Sequence, residues 1–240
     1  MVFGFKKRCA ATAAVVVCAG NSTRMGANSN KLLTKLIDRP VMIHTLTAYQ
    51  NCKLISQIIV VTKPEFFDQY KELISRYNIT KVKDIVSGAS QRSESVLNGV
   101  KACSKNIKYV AIADGARPLT LISDIEKTIY AAQKYGAAAL GEPVIDTIKR
   151  IDRKNMIKKT IDRQSLIKIQ TPQVVKKDDY IVLASVAATL DKNFTDDVSI
   201  LEYYNKPVMY VKATAENYKI TTAKDIGLCE YLLKAREKNK

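Results

Sequence analysis

The 240-residue chain is predicted to adopt an α/β fold: a mostly parallel sheet with helices on both faces, plus a projecting β-arm. Three observations predict it. Short β-branched runs alternate with longer stretches of helical period, the β-α-β-α order that joins parallel strands through crossover helices. The composition is that of a packed globular chain, 47% apolar and 26% charged with only 9 Gly and 6 Pro, which excludes collagen-like, low-complexity and disordered classes. No linker, repeat or compositional shift divides the sequence, so residues 1–240 read as one domain with an arm at about 144–168.

The first strand is expected at residues 12–18, an apolar run of the kind buried on both faces of a parallel sheet. It follows Lys6-Lys7-Arg8, and that order of charge then apolar run resembles a secretory leader. It is read as a strand because it flows directly into a Gly-containing loop that cleavage would sever. Helical period marks residues 41–51, 66–77, 92–103 and 121–135; between them, β-branched runs at 57–62, 81–86 and 109–113 read as buried strands. Residues 137–143 followed by 146–169 break this rhythm with polar, alternating, hairpin-like sequence that could project from the core. A helix at 178–190, another near 196–204, a strand at 208–212 and a closing helix at 222–237 complete the chain. In such sheets ligands collect at the carboxyl ends of the strands, so the site is expected in the loops that follow them.

Charge and cysteines narrow the partners. Lys and Arg number 39 against 23 Asp and Glu, and the net charge of +16 points to something polyanionic: nucleic acid, an anionic membrane surface or a phosphorylated small molecule. No apolar stretch approaches the roughly 18 residues needed to span a bilayer, so no membrane partner is expected. Five cysteines without a C-x-x-C pair, and a single histidine, support neither a disulfide framework nor a structural zinc site; a reducing, cytoplasmic setting follows.

The loop after the first strand reads Ala19-Gly20-Asn21-Ser22-Thr23-Arg24-Met25-Gly26, with Asn28, Asn30 and Lys31 beyond. Small residues there let backbone N–H groups approach an anion, and Arg24 and Lys31 supply the charge a triphosphate requires. It is neither a P-loop nor a dinucleotide fingerprint. Taken alone it could equally be an ordinary turn with solvated cations. Asp114, at a predicted strand end, could contact Mg²⁺, a ribose or a substrate hydroxyl, or cap the next turn. His44 lies inside an amphipathic helix and is expected to pack or cap rather than react. Asp225 is expected to complement the dipole of the last helix.

Eight motifs then follow in order. After Ala19-Gly20-x-x-x-Arg24-Met25 and Lys31 come Gly88-x-x-x-Arg92-x-x-Ser95-Val96, Asp114-x-Ala116-Arg117-Pro118, Asp146-Thr147-x-Lys149, Thr160-x-Asp162-Arg163, Gln170-Thr171-Pro172-Gln173, Thr195-Asp196-Asp197 and Asn217-x-Lys219-x-Thr221. Together they resemble the 2-C-methyl-D-erythritol 4-phosphate cytidylyltransferases, within the polyol-phosphate nucleotidyltransferases, from about Val15 to Leu233. The resemblance implies a Rossmann-like domain and attack by a polyol-phosphate oxygen on the α-phosphorus of CTP, releasing pyrophosphate in isoprenoid precursor synthesis. It implies Arg24, Lys31 and Lys219 as catalytic cations. The nucleotide would lie on Ala19, Gly20, Arg24, Lys31, Gly88, Ser95, Gly115 and Lys219, and the polyol phosphate on Asp114, Arg117, Thr147, Arg163, Thr171 and Thr195. Mg²⁺ or another divalent cation would bridge phosphate oxygens, with Asp114 the one candidate protein ligand. The arm, carrying Thr147, Lys149 and Arg163, would hook across a two-fold axis to complete the neighbour's site in a homodimer. The chain departs from the family pattern at Ala89 and Ser90, where a Gly and an Asp are usual, at Ala113 and Gly115, where His and Ala are usual, and at Asn30, where Pro precedes the loop lysine. The departures at Ala89, Ser90, Ala113 and Gly115 touch base selectivity, and the one at Asn30 touches the stiffness of the loop without removing its charge.

Two other readings stand beside this one. A ribitol-5-phosphate cytidylyltransferase shares the nucleotide signature, although residues 146–149 and 160–163 look more like the methylerythritol enzyme. A basic nucleic-acid-binding protein is suggested by +16 and by Tyr/Lys interleaving at 203–212 and 218–224, but its cations are spread along the chain and no nucleic-acid motif occurs.

Overall fold

The computed structural model describes residues 9–20, 30–190 and 192–238. In chain order the elements are β1 (Thr12–Val17), β2 (Lys35–Leu36), β3 (Arg39–Pro40), α1 (Val41–Asn51), β4 (Ile55–Thr62), α2 (Phe67–Arg76), β5 (Val82–Ser87), α3 (Arg92–Lys101), β6 (Tyr109–Asp114), α4 (Ile122–Tyr135), β7 (Ala137–Pro143), β8 (Ile148–Ile151), β9 (Ile157–Ile161), β10 (Ile167–Lys176), α5 (Lys177–Ala187), α6 (Val198–Tyr203), β11 (Met209–Lys212) and α7 (Ala223–Lys238).

The α/β architecture expected from the sequence is the one observed. Seven strands form one sheet in the order β11-β7-β10-β6-β1-β4-β5, with β10 antiparallel to both of its neighbours and the other pairings parallel. Alternation along β1 explains the two layers. Ala14 and Val16 face a core shared with α1, α2, α4 and α7, while Ala13 and Val15 face a second core shared with α3, α5 and α6. Each face buries an apolar row, so both need a helical cover, and the crossover helices supply it.

Local chemistry sets the helix ends. Glu94 in the first turn of α3 accepts the Gln91 N–H at 3.3 Å. Asp225 in α7 accepts the N–H groups of Thr221 and Thr222 at 2.7 and 2.8 Å, the reach-back of a capping box. Asp225 is therefore a helix-terminus residue, as expected. His44 donates from Nε2 to the Leu36 carbonyl at 2.8 Å, which ties α1 to β2.

Two interior strands were not expected, and residues 137–143, read with the projecting segment, form β7 between β11 and β10. Residues 167–169, assigned from the sequence to the projecting segment, open β10, which runs ten residues through the middle of the sheet. The projecting segment itself is the hairpin β8–β9, a two-stranded sheet of its own that pairs with no strand of the main sheet. Its base is closed where Ile167, Lys168 and Ile169 pair with Pro143, Glu142 and Gly141, reinforced by a Lys168–Glu142 ion pair at 2.8 Å.

Candidate functional site

The parallel order fixes where loops converge. Val17 at the end of β1 lies opposite Asp114 of β6 and Val61 of β4, and Thr62 of β4 lies opposite Ser87 of β5. The segments leaving these four strands, with the segment between β11 and α7, enclose a cleft of about 450 Å³. Ala19, Gly20, Lys31, Gly88, Ser95, Asp114, Gly115 and Lys219 all line it, so residues spread over two hundred positions meet at one strand edge. Arg24, expected beside Lys31, lies outside the described residues.

Two glycines are required by close approach. A Cβ on Gly88 would stand 2.5 Å from the Ala19 Cβ, so the β5–α3 turn presses against the segment after β1. A Cβ on Gly115 would stand 2.5 Å from the Cys18 Sγ, while the Gly115 N–H donates to the Val17 carbonyl at 2.9 Å. These contacts bring three loops close enough to share one ligand.

Asp114 organises the charge. Its Oδ2 meets the Lys219 Nζ at 3.1 Å and the Arg117 Nε at 3.2 Å, and its Oδ1 faces the Arg92 guanidinium at 3.7 Å. Burial by itself would raise this carboxyl, but Lys219, Arg117 and Arg92 together outweigh burial and hold it below the ordinary carboxylate range. Arg92 also pairs with the buried Asp197 at 2.8 Å, and Asp197 accepts the Tyr180 hydroxyl at 3.0 Å. There burial wins and raises the Asp197 carboxyl despite Arg92. Arg92 is held charged, since its two carboxylates more than offset burial. It lines the cleft between them.

Behind the cleft a polar scaffold fixes Asp114 and Lys219. Thr171 Oγ1 accepts the Asp114 N–H at 3.1 Å, Asn217 Nδ2 donates to the Thr171 carbonyl at 3.0 Å, and Arg117 donates to the Asn217 carbonyl at 2.6 Å. Gln173 Oε1 accepts the N–H groups of Asp197 and Val198 at 2.9 and 3.0 Å, and its Nε2 donates to Asp196 at 2.9 Å. Asn30, which precedes Lys31, donates to the buried Tyr70 hydroxyl at 3.3 Å and accepts the Leu32 N–H at 3.1 Å. It anchors the loop exit through side-chain bonds where proline would act through ring stiffness.

Other expected site residues are placed differently. Ser95 lines the cleft but is buried; its Oγ accepts the Ala89 N–H at 2.8 Å and donates to the Gln91 carbonyl at 2.9 Å, so it shapes the β5–α3 turn. Arg117 and Thr171 stand behind Asp114. Thr195 is exposed near α6. Thr147 and Arg163 are exposed on the arm and do not line the cleft of their own chain; Arg163 donates to the Ile145 carbonyl, and Lys149 to Thr160 at 2.7 Å. Sequence reasoning left out Arg92, although it stands inside a quoted motif, and Lys63 and Glu65, whose signal is a Lys-Pro step immediately after a buried strand.

As a metal donor Asp114 fits poorly, because both of its oxygens already face cations. Among the described residues no group of three His, Cys, Asp or Glu side chains is placed to hold a metal ion. No helix among them is long and apolar enough to cross a membrane. The arrangement is a cleft with a fixed cationic wall, suited to neutralising phosphate charge.

Residues 12–235 match the family described as 2-C-methyl-D-erythritol 4-phosphate cytidylyltransferase. A protein of that name from Caldanaerobacter subterraneus is 39% identical over 224 residues, covering 92% of this chain and 98% of its own length. One from Clostridium acetobutylicum is 40% identical over 223 residues, covering 92% and 96%. Among solved structures, 4-diphosphocytidyl-2C-methyl-D-erythritol synthase from Anaerococcus prevotii superposes with a TM-score of 0.84 at 27% identity, covering 94% of this chain and 96% of the other.

Proposed function

This chain belongs to the 2-C-methyl-D-erythritol 4-phosphate cytidylyltransferase family, and from that premise we infer that it joins CTP to 2-C-methyl-D-erythritol 4-phosphate, releasing pyrophosphate. The observation that carries the reading to the site is the cleft at the strand ends, where Gly20, Lys31, Gly88, Asp114 and Lys219 converge. The relatives give no support to ribitol phosphate or nucleic acid as the substrate.

The reaction asks little proton chemistry of the protein. A phosphate monoester is anionic at neutral pH, so its oxygen can attack the α-phosphorus without a general base, and catalysis rests on positioning and charge neutralisation. In this reading Lys31 neutralises the triphosphate and Lys219 the charge shared between the two substrates. Asp114 keeps Lys219 in place and prevents three cations from repelling one another, acting as a positioning residue. A divalent cation would come with the triphosphate rather than through Asp114, and it would supply charge neutralisation at the phosphates. Five free thiols, four of them buried, fit a reducing cytoplasm.

In this reading the exposed arm completes the contacts to the polyol phosphate. Ile145, Ile151, Met156 and Ile157 are all more than half exposed, and an isolated hairpin is marginal in water. A homodimer that seats this arm on a second copy would bury them and bring Thr147 and Arg163 to the partner's cleft.

Pyrophosphate release from CTP with methylerythritol phosphate, set against ribitol 5-phosphate, tests the assignment. The kcat/KM ratio should favour methylerythritol phosphate, and a ratio favouring ribitol phosphate would overturn it. Lys31→Ala and Lys219→Ala should each lower turnover by about 10²–10³, the scale of one preorganised charge lost at a transition state, with folding intact. Wild-type turnover at saturating CTP would remove that residue from the mechanism.

A further inference from the structure

The cleft has two unlike ends. At one, Lys31, Lys219 and the Asp114 cluster form the cationic wall beside β1 and β6. The other is built by two turns that leave the sheet side by side, because Thr62 and Ser87 are the last paired step of β4 and β5 and the Gly88 N–H donates to the Thr62 carbonyl at 2.8 Å. They set Lys63, Pro64 and Glu65 against Gly88, Ala89 and Ser90, and all six line the cleft. Pro64 opens a short 3₁₀ turn that bends the chain at the rim. A nucleoside triphosphate with its phosphates on the cationic wall would extend its base toward this second end.

The serine hydroxyls lining this end are already committed. Ser95 is held between the Ala89 N–H and the Gln91 carbonyl, and Ser90 donates to Glu94 at 3.0 Å. Lys63 and Glu65 differ: their charged atoms stand 3.7 Å apart, an ion pair too long for a hydrogen bond, and both side chains are partly exposed. Each retains hydrogen-bonding capacity for a ligand at the rim.

We propose that Glu65, supported by Lys63, selects the nucleobase. The Glu65 carboxylate accepts hydrogen bonds from the exocyclic amine of cytosine, and the Lys63 ammonium donates to a ring carbonyl while balancing the charge of Glu65. Uracil presents a carbonyl oxygen where cytosine presents the amine, which sets acceptor against acceptor; a site built around such a hydrogen bond rejects the wrong partner strongly. The chain thereby has a carboxylate at the base end, supplied from the β4–α2 turn although Ser90 carries none.

The inference rests on CTP binding in this cleft, and its test keeps the two apart. CTP and UTP are compared as substrates, with methylerythritol phosphate, for wild type, Glu65→Ala and Glu65→Gln. Glu65→Ala should reduce the CTP-to-UTP ratio of kcat/KM by about tenfold or more, mainly through KM for CTP, and Glu65→Gln, which keeps an acceptor oxygen, should fall between. An unchanged ratio in Glu65→Ala overturns the proposal. Should wild type release no pyrophosphate from CTP, the assigned reaction fails instead, and equilibrium binding of CTP and UTP to wild type and Glu65→Ala decides the role of Glu65 by the same ratio. Both nucleotides carry the same triphosphate, so nonspecific loss of phosphate binding would move them together.

Discussion

Gly115 and Cys18 illustrate how one residue's size sets another's. Cys18 is buried at the end of β1, where burial first and the nearby Asp114 second push its thiol up to about 12, so it is inert filler rather than a nucleophile. Its sulfur fills the space a Cβ on Gly115 would need. Gly115→Ala should therefore cost about 1–3 kcal/mol through overpacking, whereas Cys18→Ala with Gly115→Ala should recover most of that loss. Denaturant unfolding of the two singles and the double measures the coupling; additive losses would mean that the two side chains do not compete for space. The same close approach is invisible in sequence, where Gly115 registers as a departure from a pattern and as a nucleotide contact implied by resemblance. Asp114 was legible as a strand-end carboxylate, but its three cations come from positions 92, 117 and 219, and only the folded sheet shows that they meet on it.

At the scale of elements, β-branched runs and helical period were enough to find β1, β4, β5, β6 and every long helix, because burial on both faces demands continuous apolar sequence. β10 escaped for a physical reason. Its middle reads Gln170-Thr171-Pro172-Gln173, and proline argues against a central strand since it cannot donate to a ladder. The register with β7 shifts between Ile169 and Gln173, so the irregularity absorbs Pro172 and the polar side chains turn to the Asp197 and Asn217 scaffold. Element docking also makes a pH prediction. His44 joins α1 to β2 as a neutral donor; burial lowers its pKa, the Leu36 bond and the Asp38 and Glu237 charges oppose this, and Arg39 adds to the lowering. A depressed histidine contributes stability that is complete above its unfolded value of about 6.5 and is lost as pH falls through the folded midpoint. As the chain has one histidine, its NMR titration is unambiguous. A midpoint at or above 6.5 would show that α1 does not bury the ring as described.

At the scale of the molecule, the sheet builds most of a site and leaves the arm outside it. Thr147 and Arg163 carry family motifs, yet they project on a hairpin whose large apolar side chains face solvent, an arrangement that makes sense if the complete unit is a two-fold pair. In that unit each site takes Lys219 from one chain and Arg163 from the other. Arg163→Ala and Lys219→Ala homodimers should each be nearly inactive, since each lacks one charge at both sites. Unfolded and refolded together, half of the dimers should be mixed, and every mixed dimer holds one intact site beside one that has lost both charges. About a quarter of wild-type activity should then return, given random pairing and independent sites. If mixtures verified by mass spectrometry to contain mixed dimers remain as inactive as their parents, Arg163 serves its own chain and the arm does not complete a neighbour's cleft.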